Sequence, residues 1–120
     1  MPSEGTASIQ TLPVLPVRAG QKVFLEFYSE IRFVNREFAH FIYEIVDQNN
    51  QQVFYSNQID AGWGALNTGS DNTGNRFTML VNWMDDINTD TTRVYTARII
   101  NNGPIPLTVQ FWDFRATVIQ

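Results

Sequence analysis

Hydrophobic and polar residues alternate with a period of two along most of this chain of 120 residues, the spacing of half-buried β-strands. In residues 22–34, KVFLEFYSEIRFV, Val23, Leu25 and Phe27 share one parity, and Ile31 and Phe33 keep it, so one long or bent strand is predicted. Residues 38–46, FAHFIYEIV, place Phe41, Tyr43 and Ile45 on one face, and His40, Ile42, Glu44 and Val46 on the other. Apolar residues on both faces predict a central strand, covered on its second side by another sheet or subunit. The polar run of residues 47–51 predicts a hairpin loop, with Val53 and Tyr55 returning against Ile45 and Tyr43. Residues 77–84, FTMLVNWM, set Phe77, Met79 and Val81 opposite Thr78, Leu80 and Asn82.

The last third, residues 93–120, predicts two strands forming a final hairpin around Asn101-Asn102-Gly103-Pro104. Tyr95, Ala97 and Ile99 alternate with Thr96 and Arg98 on the first. On the second, Leu107, Val109 and Phe111 share one parity, and Phe114, Ala116 and Val118 the other. That switch predicts a β-bulge near Trp112 and Asp113, which keeps the apolar face inward by inserting one residue. Near the start, Pro13 and Pro16 exclude helix from residues 9–17 and confine that segment to a sheet edge or to an arm over a neighbour. Residues 1–8 read as a loose terminal segment, and 9–120 as a single domain. Six or seven strands of similar length, no convincing helix and regular turn signals make the chain all-β. The expected architecture is an antiparallel β-sandwich, immunoglobulin-like or jelly roll, with the jelly-roll-like form favoured.

Composition sharpens this. Nine Phe, four Tyr and three Trp favour strands. A net charge of -4 argues against nucleic acid as partner, since that affinity rests on Lys and Arg neutralising phosphates. Lys22 is the only lysine among eight basic residues, and arginine tolerates protein interfaces better than lysine does. Cysteine is absent, which removes disulfides, thiol nucleophiles and thiolate metal sites. No apolar run is long enough to predict a membrane span. The start, MPSEGTASIQ, has neither a basic nor an apolar signal-peptide region, so any location outside a cell is expected to be reached without one.

Candidate chemistry is sparse. Asp85, Asp86, Asn88 and Asp90 offer oxygen ligands in one turn, but not in EF-hand order, and a solvated loop is expected rather than a calcium site. His40 lacks a Ser or Cys partner in any triad motif. Glu26, Glu30, Glu37 and Glu44 could supply a glycosidase pair only if two converge. No enzyme activity, metal or cofactor is therefore expected. Trp63, Trp83 and Trp112 could stack on sugars. Trp63, beside the Gly- and Asn-rich residues 62–76, is expected to be exposed, whereas Trp83 and Trp112 lie within strand patterns and are expected to be buried. Trp63, Asn67, Asp71 and Asn75 are the candidate ligand-binding residues for a glycan or host receptor.

The stretch VNWMDDINTDTTRVYTARIINNG, with the end FRATVIQ, resembles the C-terminal portion of C1q/TNF-like jelly rolls of bacterial spore-surface and phage tail or fibre proteins. Trp83, Asp85, Tyr95 and the run Ala116-Thr117-Val118-Ile119 carry the resemblance, while Asp86 stands where proline is common. The opening VRAGQKVFLEF is similar to the early strands of such modules, and about half the chain is covered. The resemblance implies a self-associating, often trimeric domain on the outside of a particle such as a spore or virion. The expected function is a self-assembling structural surface protein, the alternative a carbohydrate- or receptor-binding module.

Overall fold

The computed structural model describes residues 5–33, 39–61 and 75–120, and among these it contains ten strands and no helix. In chain order they are β1 (Thr6–Thr11), β2 (Leu15–Val17), β3 (Lys22–Phe33), β4 (Ala39–Val46), β5 (Gln52–Tyr55), β6 (Ile59–Ala61), β7 (Asn75–Asp86), β8 (Thr91–Arg93), β9 (Thr96–Asn101) and β10 (Thr108–Ile119). One sheet runs β1-β9-β4-β5, with β6 also on β4; a second runs β10-β3-β7; β2 and β8 form a short ribbon. Every pairing is antiparallel. The two main sheets face each other as an antiparallel β-sandwich, jelly-roll-like in that consecutive long strands alternate between layers. The three strands of the second sheet are 12 residues each and span about 40 Å, so the domain is elongated, 52 × 23 × 21 Å.

The period-two pattern is what places the core. Val23, Leu25, Phe27, Ile31 and Phe33 of β3 all point inward and are buried, as their shared parity requires. From β4, Phe41, Tyr43 and Ile45 meet them across the interlayer space. The rings form an edge-to-face chain that crosses between sheets: Phe114 on Phe27 at 5.6 Å, Phe27 on Tyr43 at 5.7 Å, Tyr43 beside Phe41 at 5.9 Å, and Phe41 on Phe77 at 5.3 Å. Such ring pairs add about 0.5–1.5 kcal/mol each beyond the area they bury. In their midst, the Tyr43 hydroxyl and Ser29 Oγ share a hydrogen bond of 2.5 Å between the layers, and Ser56 Oγ accepts from Tyr43 N at 2.9 Å. The polar tip of a core tyrosine is thus satisfied where no water reaches it.

The expected final hairpin does not form. β9 pairs with β1 and β4, whereas β10 pairs with β3 in the opposite sheet. The connection is an arch between layers, because Ile105 and Leu107 within it are apolar and bury in the core. Buried Asn101 shapes the arch, donating through Nδ2 to Ile105 O (2.9 Å) and accepting from Gly103 N through Oδ1 (3.0 Å). At Gly103 a Cβ would come within 2.9 Å of His40 N, so only glycine fits. The bulge on β10 lies between Val109 and Phe111, earlier than expected. Phe111 is therefore turned outward and exposed, and Trp112 inward.

Other registers differ by single residues. Tyr55 pairs with Glu44 and faces solvent, because a bulge between Ile45 and Val46 leaves Val53 unopposed. The turn of the β4–β5 hairpin places Asn50 at φ 62°, a left-handed conformation that asparagine tolerates. β1 begins at Thr6, so residues 6–8 of the segment expected to be loose are paired with β9. β1 is an edge strand, and Pro16 sits in the two-stranded β2–β8 ribbon.

Removing one partner of the Ser29–Tyr43 bond strands the other in the core, so Tyr43→Phe and Ser29→Ala should each cost about 1–3 kcal/mol in urea unfolding. The double variant should cost less than the sum of the two, because neither polar group is then orphaned. Burial raises the Tyr43 hydroxyl pKa well above 10, as burial and then neighbouring Asp85 do for Tyr95. The folded state therefore keeps both protons when the unfolded chain loses them, and this stabilisation is complete below pH 10. Above it, stability should fall by about 1.4 kcal/mol per pH unit for each tyrosine. Tyr43→Phe should halve that slope in unfolding curves measured between pH 10 and 11.5.

Candidate functional site

The two outer faces of the sandwich differ in chemistry. On the β1-β9-β4-β5 sheet, charges are paired off with one another. Arg98 spans β9 to β4, donating through Nε to Glu44 Oε1 at 2.9 Å and through Nη1 to Asn50 Oδ1 at 2.8 Å. Gln52 donates to the second oxygen of Glu44 at 2.7 Å. Buried Asp47 receives Arg93 Nη1 at 3.0 Å and the backbone N–H groups of Asn49 and Gln51 at 2.8 and 3.0 Å, which organises the β4–β5 turn. Gln48 bonds Thr92 O and Val94 N at 3.0 Å each, fastening that turn to the β8–β9 junction. A cleft of about 420 Å³ lies between these groups, its polar side chains engaged with one another. At the far end His40 Nδ1 meets Asp60 Oδ1 at 2.6 Å. That hydrogen bond, then one from Gln58, holds the exposed Asp60 carboxyl below the usual carboxylate range.

The outer face of the β10-β3-β7 sheet carries exposed apolar side chains between charged ones, the row Glu26, Asn82 and Arg115 separating two apolar rows. Directly paired residues share a face. One row holds Phe24 with Met84 and Thr117, another Tyr28 with Leu80 and Asp113, another Glu30 with Phe111 and Thr78. Leu80 is 61% exposed and Phe111 60%. Seven of the nine exposed large hydrophobic residues belong to this sheet: Tyr28, Leu80, Trp83, Met84, Phe111, Trp112 and Ile119. Nearly buried Glu30 lies between Arg32 Nε at 3.7 Å and Arg76 Nη1 at 3.6 Å, and its Oε1 accepts no hydrogen bond.

Trp83 and Trp112, expected to be buried, are 43% and 47% exposed. Both have the parity of the inner face, but they sit on edge strands, where the two layers no longer cover each other. Trp83 leans on Phe54 of β5 with ring centroids 5.5 Å apart. Trp112 lines an open groove of about 330 Å³ between β10 and β1, with Ile9 and Val109. Periodicity alone cannot tell an edge strand from a central one, so sequence reasoning missed these two rings.

Of the ligand-binding residues named from sequence, Trp63, Asn67 and Asp71 lie outside the described residues, as does Glu37. Asn75 opens β7, its backbone opposite Phe33. The carboxylates of the acidic turn do not converge. Asp85 accepts the Tyr95 hydroxyl at 2.7 Å, Asp86 lies 3.7 Å from Lys22 Nζ, and Asp90 accepts Ala19 N at 2.9 Å. No group of three or more His, Cys, Asp or Glu among the described residues could hold a metal, and no helix there is long and apolar enough to cross a membrane. Asp85 and Tyr95, two residues of the resemblance, fasten the end of β7 to the start of β9. No family model, curated protein or solved structure matches the chain.

With its carboxylates drawn to three separate partners, the 85–90 turn should ignore calcium: millimolar Ca²⁺ should leave the thermal midpoint unchanged. A rise of several degrees would instead report cation binding to the folded state.

Proposed function

We propose that this protein is a structural building block that self-associates through its β10-β3-β7 sheet. The observation that carries the proposal is the concentration of exposed large hydrophobic side chains on that sheet, with Tyr28, Leu80, Met84, Phe111 and Ile119 on its outer face and Trp83 and Trp112 at its two edges. Single exposed hydrophobics are ordinary, but seven of the nine large ones on one sheet, interspersed with charge, mark an interaction surface. The opposite sheet carries its charges in internal pairs, and the outward Ile42, Glu44 and Val46 of its central strand β4 are already buried. Aromatic and Met side chains with few lysines are also the makeup of interface cores. The chain's only lysine, Lys22, sits at the end of the apolar sheet beside Asp86. The resemblance to C1q/TNF-like modules supports the same reading and would put the assembly on the outside of a particle.

Light scattering coupled to gel filtration should find a mass that rises with concentration to a discrete oligomer. Leu80→Lys, at a solvent-exposed position, should leave the circular dichroism spectrum unchanged and shift the distribution toward monomer by at least about tenfold in dissociation constant, as expected for a central interface side chain. A protein that stays monomeric at every concentration would overturn the reading.

A further inference from the structure

The second sheet ends on β10, a strand of 12 residues that, among the described residues, pairs with β3 alone and leaves its other edge unpaired. Long bare edges invite pairing, and proteins that avoid it place proline or lysine there. β10, TVQFWDFRATVI, has neither; its charges are Asp113 and Arg115, and its one irregularity is the bulge between Val109 and Phe111. The opposite edge, β7, is as long, but Trp83 leans over its flank onto Phe54. On the β10 side the groove lined by Ala7, Ile9, Val109 and Trp112 separates the strand from β1, so nothing described occupies the edge.

We infer that β10 pairs antiparallel with β10 of a second copy about a two-fold axis through Phe114, making one continuous six-stranded sheet from two three-stranded ones. This rests on the assembly reading above and adds to the sheet face an edge contact on the same sheet, distinct from the Leu80 side on β7. The register follows from charge and shape. Centred on Phe114, each Asp113 faces Arg115 of the other copy, each Trp112 faces Ala116, and each Phe111 faces Thr117. Opposite charges meet twice, and each large ring meets a small residue. Moving the axis to Asp113 or to Arg115 sets a charge against itself, which is destabilising across a strand pair. Moving it between two residues sets outward against inward side chains. Within one chain Arg115 Nη2 lies 2.9 Å from Asp113 Oδ2, both exposed, so the pair is already held at the surface in alternating sign. A C2 contact of this kind is self-complementary and closes at two copies.

Sedimentation velocity on the full chain tests the inference. Asp113→Arg and Arg115→Asp should each weaken dimerisation by at least about tenfold, since each puts like charges opposite one another at two symmetric places. Their equimolar mixture, and the double variant D113R/R115D, should recover wild-type affinity, which a folding defect could not do. Because the chain has no cysteine, F111C/T117C should form an intermolecular disulfide dimer under mild oxidation; strand-paired Cα atoms lie about 4.5–5.5 Å apart, within disulfide reach. If the wild type assembles but the charge variants associate like it and no cross-link forms, the β10 interface is wrong while the assembly reading stands. If the wild type is monomeric throughout, both are wrong.

Discussion

Tyr43 is the side chain on which the two layers close. Its ring sits edge-on to Phe27 of the facing sheet and beside Phe41 of its own, and its hydroxyl reaches Ser29 across the gap. Its backbone N–H and carbonyl bond the side chain and backbone of Ser56, anchoring the segment between β5 and β6. A sandwich this thin has one layer of side chains from each sheet to bury, so a polar tip in the middle must be satisfied by the opposite sheet. The Ser29–Tyr43 bond does that, and thereby sets the registration of one layer on the other. Phe114 and Phe77 extend the contact to both edge strands of the facing sheet.

Once the layers are registered, the chemistry of the outer faces follows from strand parity. On β4 and β9 the outward positions bring Glu44 opposite Arg98, which neutralise each other and tie neighbouring strands. On β3, β7 and β10 the outward positions bring Phe24 beside Met84 and Tyr28 beside Leu80, with the bulge adding Phe111. One face is therefore self-sufficient and the other exposes apolar area to water. That asymmetry and the long edge of β10, unpaired among the described residues, belong to the same sheet.

Much of the core was legible from alternation. Val23, Leu25, Phe27, Ile31 and Phe33, and the facing Phe41, Tyr43 and Ile45, are inward because residues two apart on a strand share a face, a rule that needs no partner. The central place of β4 was legible too, from its apolar residues on both sides. The pairing of β10 was not: Asn101-Asn102-Gly103-Pro104 is as good a turn for an arch as for a hairpin, and the choice falls to Ile105 and Leu107, which bury between the layers. The apolar candidate surface was only half legible. Its residues stood in view, but Leu80, Trp83, Phe111 and Trp112 read equally well as core, since edge position and bulge placement depend on which strands flank them.

That the chain is all-β, which side chains of each strand share a face, and that cysteine chemistry is absent all follow from residue order, because they depend on local geometry and composition. Tertiary structure alone decided which strands are neighbours, which edges stay bare and where the bulge on β10 falls, because those depend on contacts between residues far apart in the chain. The exposed sheet is the product of both. Alternation wrote the apolar side chains in, and the packing of two layers left them uncovered, since the facing sheet covers only the inward side of β3, β7 and β10.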